Sequence, residues 1–98
     1  NIYPSHIEAL SVRHPQVQKA ACFPVADERL GERACLAIIG EIGSTDLLAH
    51  LAKEGLSKYD MPEYFLAMPI FPLTPSGKIL KRELVEMVRR GELSPSFL

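Results

Sequence analysis

Apolar positions change period several times along this chain, and each change marks an element. Ile7 and Leu10 share a helical stripe behind Ser5 and Glu8, which stand at S-x-x-E capping-box spacing, so a helix is expected over 5–13. His14-Pro15 ends it, because the residue before a proline is pushed out of the helical region. Residues 17–25, with Ala20-Ala21-Cys22-Phe23, have strand composition, and Pro24 marks a strand end or a sheet edge. The charged Asp27–Glu32 segment contains Gly31 and predicts a turn. A second strand follows over 33–39; its unbroken apolar run implies cover on both faces, although periodicity alone leaves a short buried helix open. Gly40 and Gly43 break the pattern. Ser44 or Thr45 can then cap a helix over 45–54 that carries Leu47, Leu48 and Leu51, with Gly55 as its stop.

Beyond Gly55, Pro62 forces extension and a third strand is expected over 63–68. Pro69, Pro72 and Pro75, three residues apart, predict a stiff, extended, polyproline-like loop. Helical spacing returns over 80–90 through Leu80, Leu84, Val85 and Val88, and Gly91 terminates it. The expected fold is α+β: a small two-layer domain with a three-stranded sheet (17–25, 33–39, 63–68) and about three packing helices.

Composition narrows the class. Ninety-eight residues hold one domain, and 47% hydrophobic with 23% charged residues is ordinary for a globular chain. Residues 1–49 carry four basic and six acidic side chains and residues 50–98 seven and six, so no electrostatic footprint for nucleic acid emerges. The local basic excess sits at Lys78, Lys81 and Arg82. No apolar run approaches the roughly 18–20 residues of a membrane helix, and no membrane partner is expected. Cys22 and Cys35 match neither zinc nor C-x-x-C spacing and are expected as buried free thiols, from which a cytoplasmic location follows. His6, His14 and His50 show no ligand spacing, and no metal site is expected in this domain.

The chemistry-bearing feature is Ser76-Gly77-Lys78, delivered by the proline-spaced loop. Gly77 permits close backbone approach to a ligand, and Lys78 adds a long cationic donor for phosphate or carboxylate oxygens. A Walker loop is excluded: the position five before Gly77 is Pro72, and Ile79 after Lys78 has no hydroxyl for magnesium.

The chain resembles the C-terminal domain of the AMP-forming acyl-CoA synthetases, the adenylate-forming superfamily. Five blocks carry the resemblance in order: Asn1-Ile2-Tyr3-Pro4 with Ile7-Glu8; His14-Pro15-Gln16-Val17; Pro24 to Glu32; Tyr59-Asp60-Met61-Pro62; and Leu73-Thr74-Pro75-Ser76-Gly77-Lys78-Ile79-Leu80-Lys81-Arg82-Glu83-Leu84. The resemblance implies an enzyme that joins a carboxylate to the α-phosphate of ATP and then passes the acyl group to the thiol of CoA. ATP, Mg2+ and CoA are implied for the full-length enzyme, with none bound by this domain alone. Its partners would be the large N-terminal AMP-binding domain, a carboxylic acid, ATP and CoA.

By the same resemblance, Lys78 is the catalytic lysine of adenylation, Ser76 and Gly77 belong to its nucleotide-phosphate loop, and Lys81 and Arg82 either approach a phosphate or cap a solvated helix. Asn1, Ile2 and Tyr3 would belong to a loop of the CoA channel, brought in when this domain rotates between two poses. Residues 1–98 are thus expected to form the mobile lid, with the large domain and hinge upstream and the isolated lid inactive. The Gly55–Pro62 stretch is more similar to ligases for aryl, cyclic or medium-length acids than to acetate-specific or long-chain ones. Two alternatives stay open: loading of a carrier-protein phosphopantetheine, and a non-catalytic small α+β ligand-binding module.

Overall fold

The computed structural model describes residues 4–98. In chain order the elements are α1 (Pro4–Ser11), β1 (Val17–Asp27), β2 (Gly31–Gly40), α2 (Ser44–Lys53), a 3-10 turn (Lys58–Asp60), β3 (Tyr64–Ala67), α3 (Lys81–Arg89) and β4 (Ser96–Phe97). The strands form one sheet in the order β1-β2-β3-β4. β1 and β2 pair antiparallel, β2 and β3 parallel, β3 and β4 antiparallel. The β1–β2 turn follows from its residues: Asp27 Oδ1 accepts the Arg29 and Leu30 amides, and Gly31 takes the positive φ of +79° that closes the hairpin. The parallel pair needs a crossover, and α2 supplies it.

The α+β architecture is as expected, and the sheet gains a fourth strand. β4 is two residues long, too short for any periodic signal, and is held by Phe97 packing edge-on against Tyr64 at 5.3 Å. β2 explains its own apolar run, since Ala34–Ile38 are all buried. Side chains alternate across the sheet. Cys22, Leu36 and Ile38 join Ile7 and Leu10 of α1 and Leu47 and Leu51 of α2 on one face. Ala21, Phe23, Cys35 and Ala37 join Phe71 and Leu84 on the α3 face. Leu84 is fully buried, which contributes roughly 1.5–3 kcal/mol to the docking of α3. Both thiols are free, and their opposite faces keep them apart; burial pushes Cys22 up to about 11 and Cys35 up to about 12. Pro24 lies inside β1, which is the sheet edge that a missing N–H predicts.

Two caps differ from expectation. Ser5 lies within α1, and the Glu8 carboxylate accepts the Cys22 amide at 2.7 Å across the β1 edge, so it serves the sheet and no reciprocal box at Ser5. α2 starts after an extended Gly43, with Ser44 already helical and no side-chain cap. α1 also stops at Ser11, two residues early, where the Arg13 and His14 amides tighten onto the Leu10 and Ser11 carbonyls ahead of Pro15. Gly55 and Gly91 end their helices at φ +97° and +78°, as predicted.

Candidate functional site

The candidate site is the loop between β3 and α3. Its tip is a tight hairpin, where the sequence predicted an extended polyproline-like run. Thr74 opens a turn in which Pro75 takes the second position, and the Gly77 amide donates to the Thr74 carbonyl at 2.9 Å. Gly77 then adopts φ +88°, and the Thr74 amide donates to the Lys78 carbonyl at 2.8 Å. Leu73 and Ile79 form an isolated antiparallel bridge, and the Leu80 amide donates to the Pro72 carbonyl at 2.9 Å, closing the base. This is a turn with a glycine bulge. The expected extended run is thus replaced by a turn: Pro75 presets φ at its second position, and backbone hydrogen bonds close it.

Thr74, a motif residue with no role of its own in the sequence pattern, organises the turn. Its Oγ1 accepts the Lys78 amide at 3.0 Å and lies 3.0 Å from Ser76 Oγ. The T-P-S-G order, with a small polar residue, proline and glycine at fixed turn positions, carried that signal. A Cβ built on Gly77 meets nothing within 4 Å, so within this chain it is φ, rather than crowding, that requires glycine.

The hairpin presents Ser76, Gly77 and Lys78 together at the surface, all exposed. Lys78 forms no ion pair among the described residues, so its charge is available to an incoming anion. Arg82 is also exposed and unpaired among the described residues, on the first turn of α3. Lys81 differs: its Nζ lies 2.5 Å from Glu8 Oε2. Apolar Ile70, Leu73 and Leu80 rim the loop, exposed by 68%, 42% and 38%. Asn1, Ile2 and Tyr3, expected at a CoA channel, lie outside the described residues.

Other motif residues serve the frame. Asp27 Oδ2 accepts the Tyr64 hydroxyl at 2.6 Å; this bond, with the two turn amides, holds the Asp27 carboxyl below its ordinary range. The Tyr59 amide donates to Ser57 Oγ at 3.2 Å and Pro62 is buried, which fixes the turn into β3. His14 and His50 meet edge to face at 5.0 Å, and His50 Nε2 lies 2.8 Å from the Leu10 carbonyl, joining α2 to α1. Among the described residues no group of three or more His, Cys, Asp or Glu could hold a metal ion. No described helix is long and apolar enough to cross a membrane.

A family model described as the AMP-binding enzyme C-terminal domain matches residues 6–78. The mitochondrial medium-chain acyl-CoA ligase of Mus musculus is 38% identical over 93 residues, covering 92% of this chain and 15% of that protein. The salicyl-AMP ligase / salicyl-S-ArCP synthetase of Mycobacterium tuberculosis is 33% identical over 90 residues, covering 89% and 16%. Among solved structures, a fatty acyl CoA synthetase of Mycobacterium tuberculosis superposes with a TM-score of 0.85 at 26% identity, covering 93% of this chain and 18% of that one. The chain therefore spans less than a fifth of the length of these relatives. The expectation of a cytoplasmic location is overturned, because seven well-matched vertebrate ligases are mitochondrial. Two free cysteines speak only to a compartment that keeps thiols reduced, and the cytosol is one such compartment among several.

Proposed function

Because the chain belongs to the AMP-binding enzyme C-terminal domain family, we propose that residues 1–98 form the mobile lid of an ATP-dependent carboxylic acid–CoA ligase. The large N-terminal AMP-binding domain would supply the acid pocket, the nucleotide site and the ligands of Mg2+. The observation that carries this reading is Lys78, an ammonium with no ion pair among the described residues, held at the tip of a hydrogen-bonded hairpin and rimmed by apolar side chains suited to packing on a second domain.

In adenylation a carboxylate must approach the α-phosphate of a polyphosphate. Both are anions, and their repulsion is strong once water is excluded. Lys78, entering with the lid, would offset that repulsion and stabilise the charge that grows on the phosphate oxygens as pyrophosphate leaves. The hairpin supplies pre-organisation, since Thr74 and Gly77 fix the backbone before any ligand arrives. Ser76 and Gly77 form the loop about the phosphates, with Arg82 as a second cation near its base. CoA is the proposed acyl acceptor. A carrier-protein thiol is the second reading, favoured by the relative named as a salicyl-S-ArCP synthetase.

The test is Lys78→Ala in the full-length enzyme, with pyrophosphate exchange and thioester formation from purified acyl-adenylate followed separately. Exchange should fall about 100-fold or more, as for loss of one transition-state donor, while thioester formation from the adenylate persists. Equal loss of both steps would refute a specific adenylation role, and exchange by the isolated 98-residue chain would refute the lid assignment.

A further inference from the structure

The geometry points to Glu8 as a positioning residue for Lys78, acting through Lys81; the inference rests on the lid reading above. α1 packs on one face of the sheet and α3 on the other, with the free edge of β1 between them. At that edge a single carboxylate oxygen, Glu8 Oε2, accepts the Cys22 amide at 2.7 Å and meets Lys81 Nζ at 2.5 Å. The pair thus straps α1, the β1 edge and the start of α3 together. Lys81 is the first residue of α3 and follows the hairpin base closed by Leu80 and Pro72.

Lys81 stands where a cation is otherwise disfavoured. The first turn of a helix carries partial positive charge, so a lysine there costs a few tenths of a kcal/mol unless an anion answers it. Glu8 is that anion, and its side chain is only 21% exposed, so the pair is less screened than a surface ion pair. If Lys81 left to bind a phosphate, Glu8 would keep a half-sequestered charge with one amide as partner. The favoured role of Lys81 is therefore an anchor. Any displacement of the hairpin base against the sheet stretches this contact, and Lys78 is carried on that base.

The experiment uses the full-length enzyme with Glu8→Gln, Lys81→Met and the double variant. Gln keeps an amide oxygen for the Cys22 N–H and removes the charge; Met keeps the apolar stem of Lys81. Each single change should lower kcat for pyrophosphate exchange about tenfold through loss of placement. KM for ATP should stay within about twofold, and thioester formation from purified acyl-adenylate should be unchanged. The double variant should be no slower than either single, because both break one contact. A rise in KM for ATP with Lys81→Met alone would make Lys81 a phosphate ligand and overturn the proposal. Parallel loss of both half-reactions in Glu8→Gln would reduce Glu8 to a folding role and overturn it too. Wild-type exchange in Glu8→Gln beside an inactive Lys78→Ala would remove the positioning role and leave the lid reading standing, whereas an active Lys78→Ala would bring down the lid reading itself.

Discussion

Gly40→Ala tests how tightly the start of β1 is joined to the end of β2. A Cβ at Gly40 would lie 2.1 Å from the Gln16 carbonyl oxygen and 3.1 Å from both Gln16 C and Val17 Cα. These are backbone atoms, so no side chain can rotate away. The strands would have to part by about an ångström, at a point where the pairing already skips a residue between Val17 and Lys19. The hydrogen bond from the Glu41 amide to the same Gln16 carbonyl, 3.0 Å long, would be lost or stretched. Overpacking costs about 1–3 kcal/mol and the hydrogen bond about 0.5–1.5 kcal/mol. Against these, alanine lowers the entropy of the unfolded chain, worth about 0.4–1 kcal/mol. The net loss is about 2 kcal/mol, or roughly 10 °C in the Tm of a domain of this size. Thermal unfolding followed by far-ultraviolet circular dichroism measures it. Gly43→Ala is the control: its Cβ meets nothing within 4 Å and its φ is an ordinary −82°, so only a helix-cap preference of about 0.5 kcal/mol is at stake. A Gly40→Ala midpoint no lower than that of Gly43→Ala would refute the crowding account.

Two further outcomes follow from local geometry. At Gly77, alanine costs about 1–2 kcal/mol for the left-handed backbone, comparable with the four amide hydrogen bonds of the hairpin at about 0.5 kcal/mol each; pyrophosphate exchange in the full-length enzyme should fall about two- to fourfold for Gly77→Ala and stay near wild type for Gly77→Asn, which tolerates that backbone. If Asn were as slow as Ala, bulk near the ligand and not φ would decide the position. At Asp27, the folded carboxyl titrates below its unfolded value, chiefly through the Tyr64 hydroxyl, so its stabilisation is fully present above the unfolded pKa of about 3.9 and is lost as pH falls through the folded one. Tyr64→Phe should therefore cost stability at neutral pH and flatten the decline between pH 5 and 2 in acid unfolding curves; an unchanged acid limb would show that the bond does not hold Asp27.

The sequence alone determined what depends on near neighbours. Helical and strand periods are local, so α1, α2, α3, β1, β2 and β3 were legible to within two residues at every end. Gly55 and Gly91 were legible as stops because a left-handed residue after a helix is a chain-local demand. The tertiary structure decided what depends on distant partners. Ser5 and Glu8 have capping-box spacing, yet Glu8 is claimed by Cys22 and Lys81, which only the folding of α1 and α3 around the β1 edge brings within reach. The proline run looked extended because proline fixes φ without fixing where the chain turns; the Leu73–Ile79 pairing chose the hairpin. β4 exists only because β3 offers it an edge, since two residues carry no period of their own. Local sequence sets which conformations each segment can adopt cheaply, and burial and charge pairing between remote segments select among them.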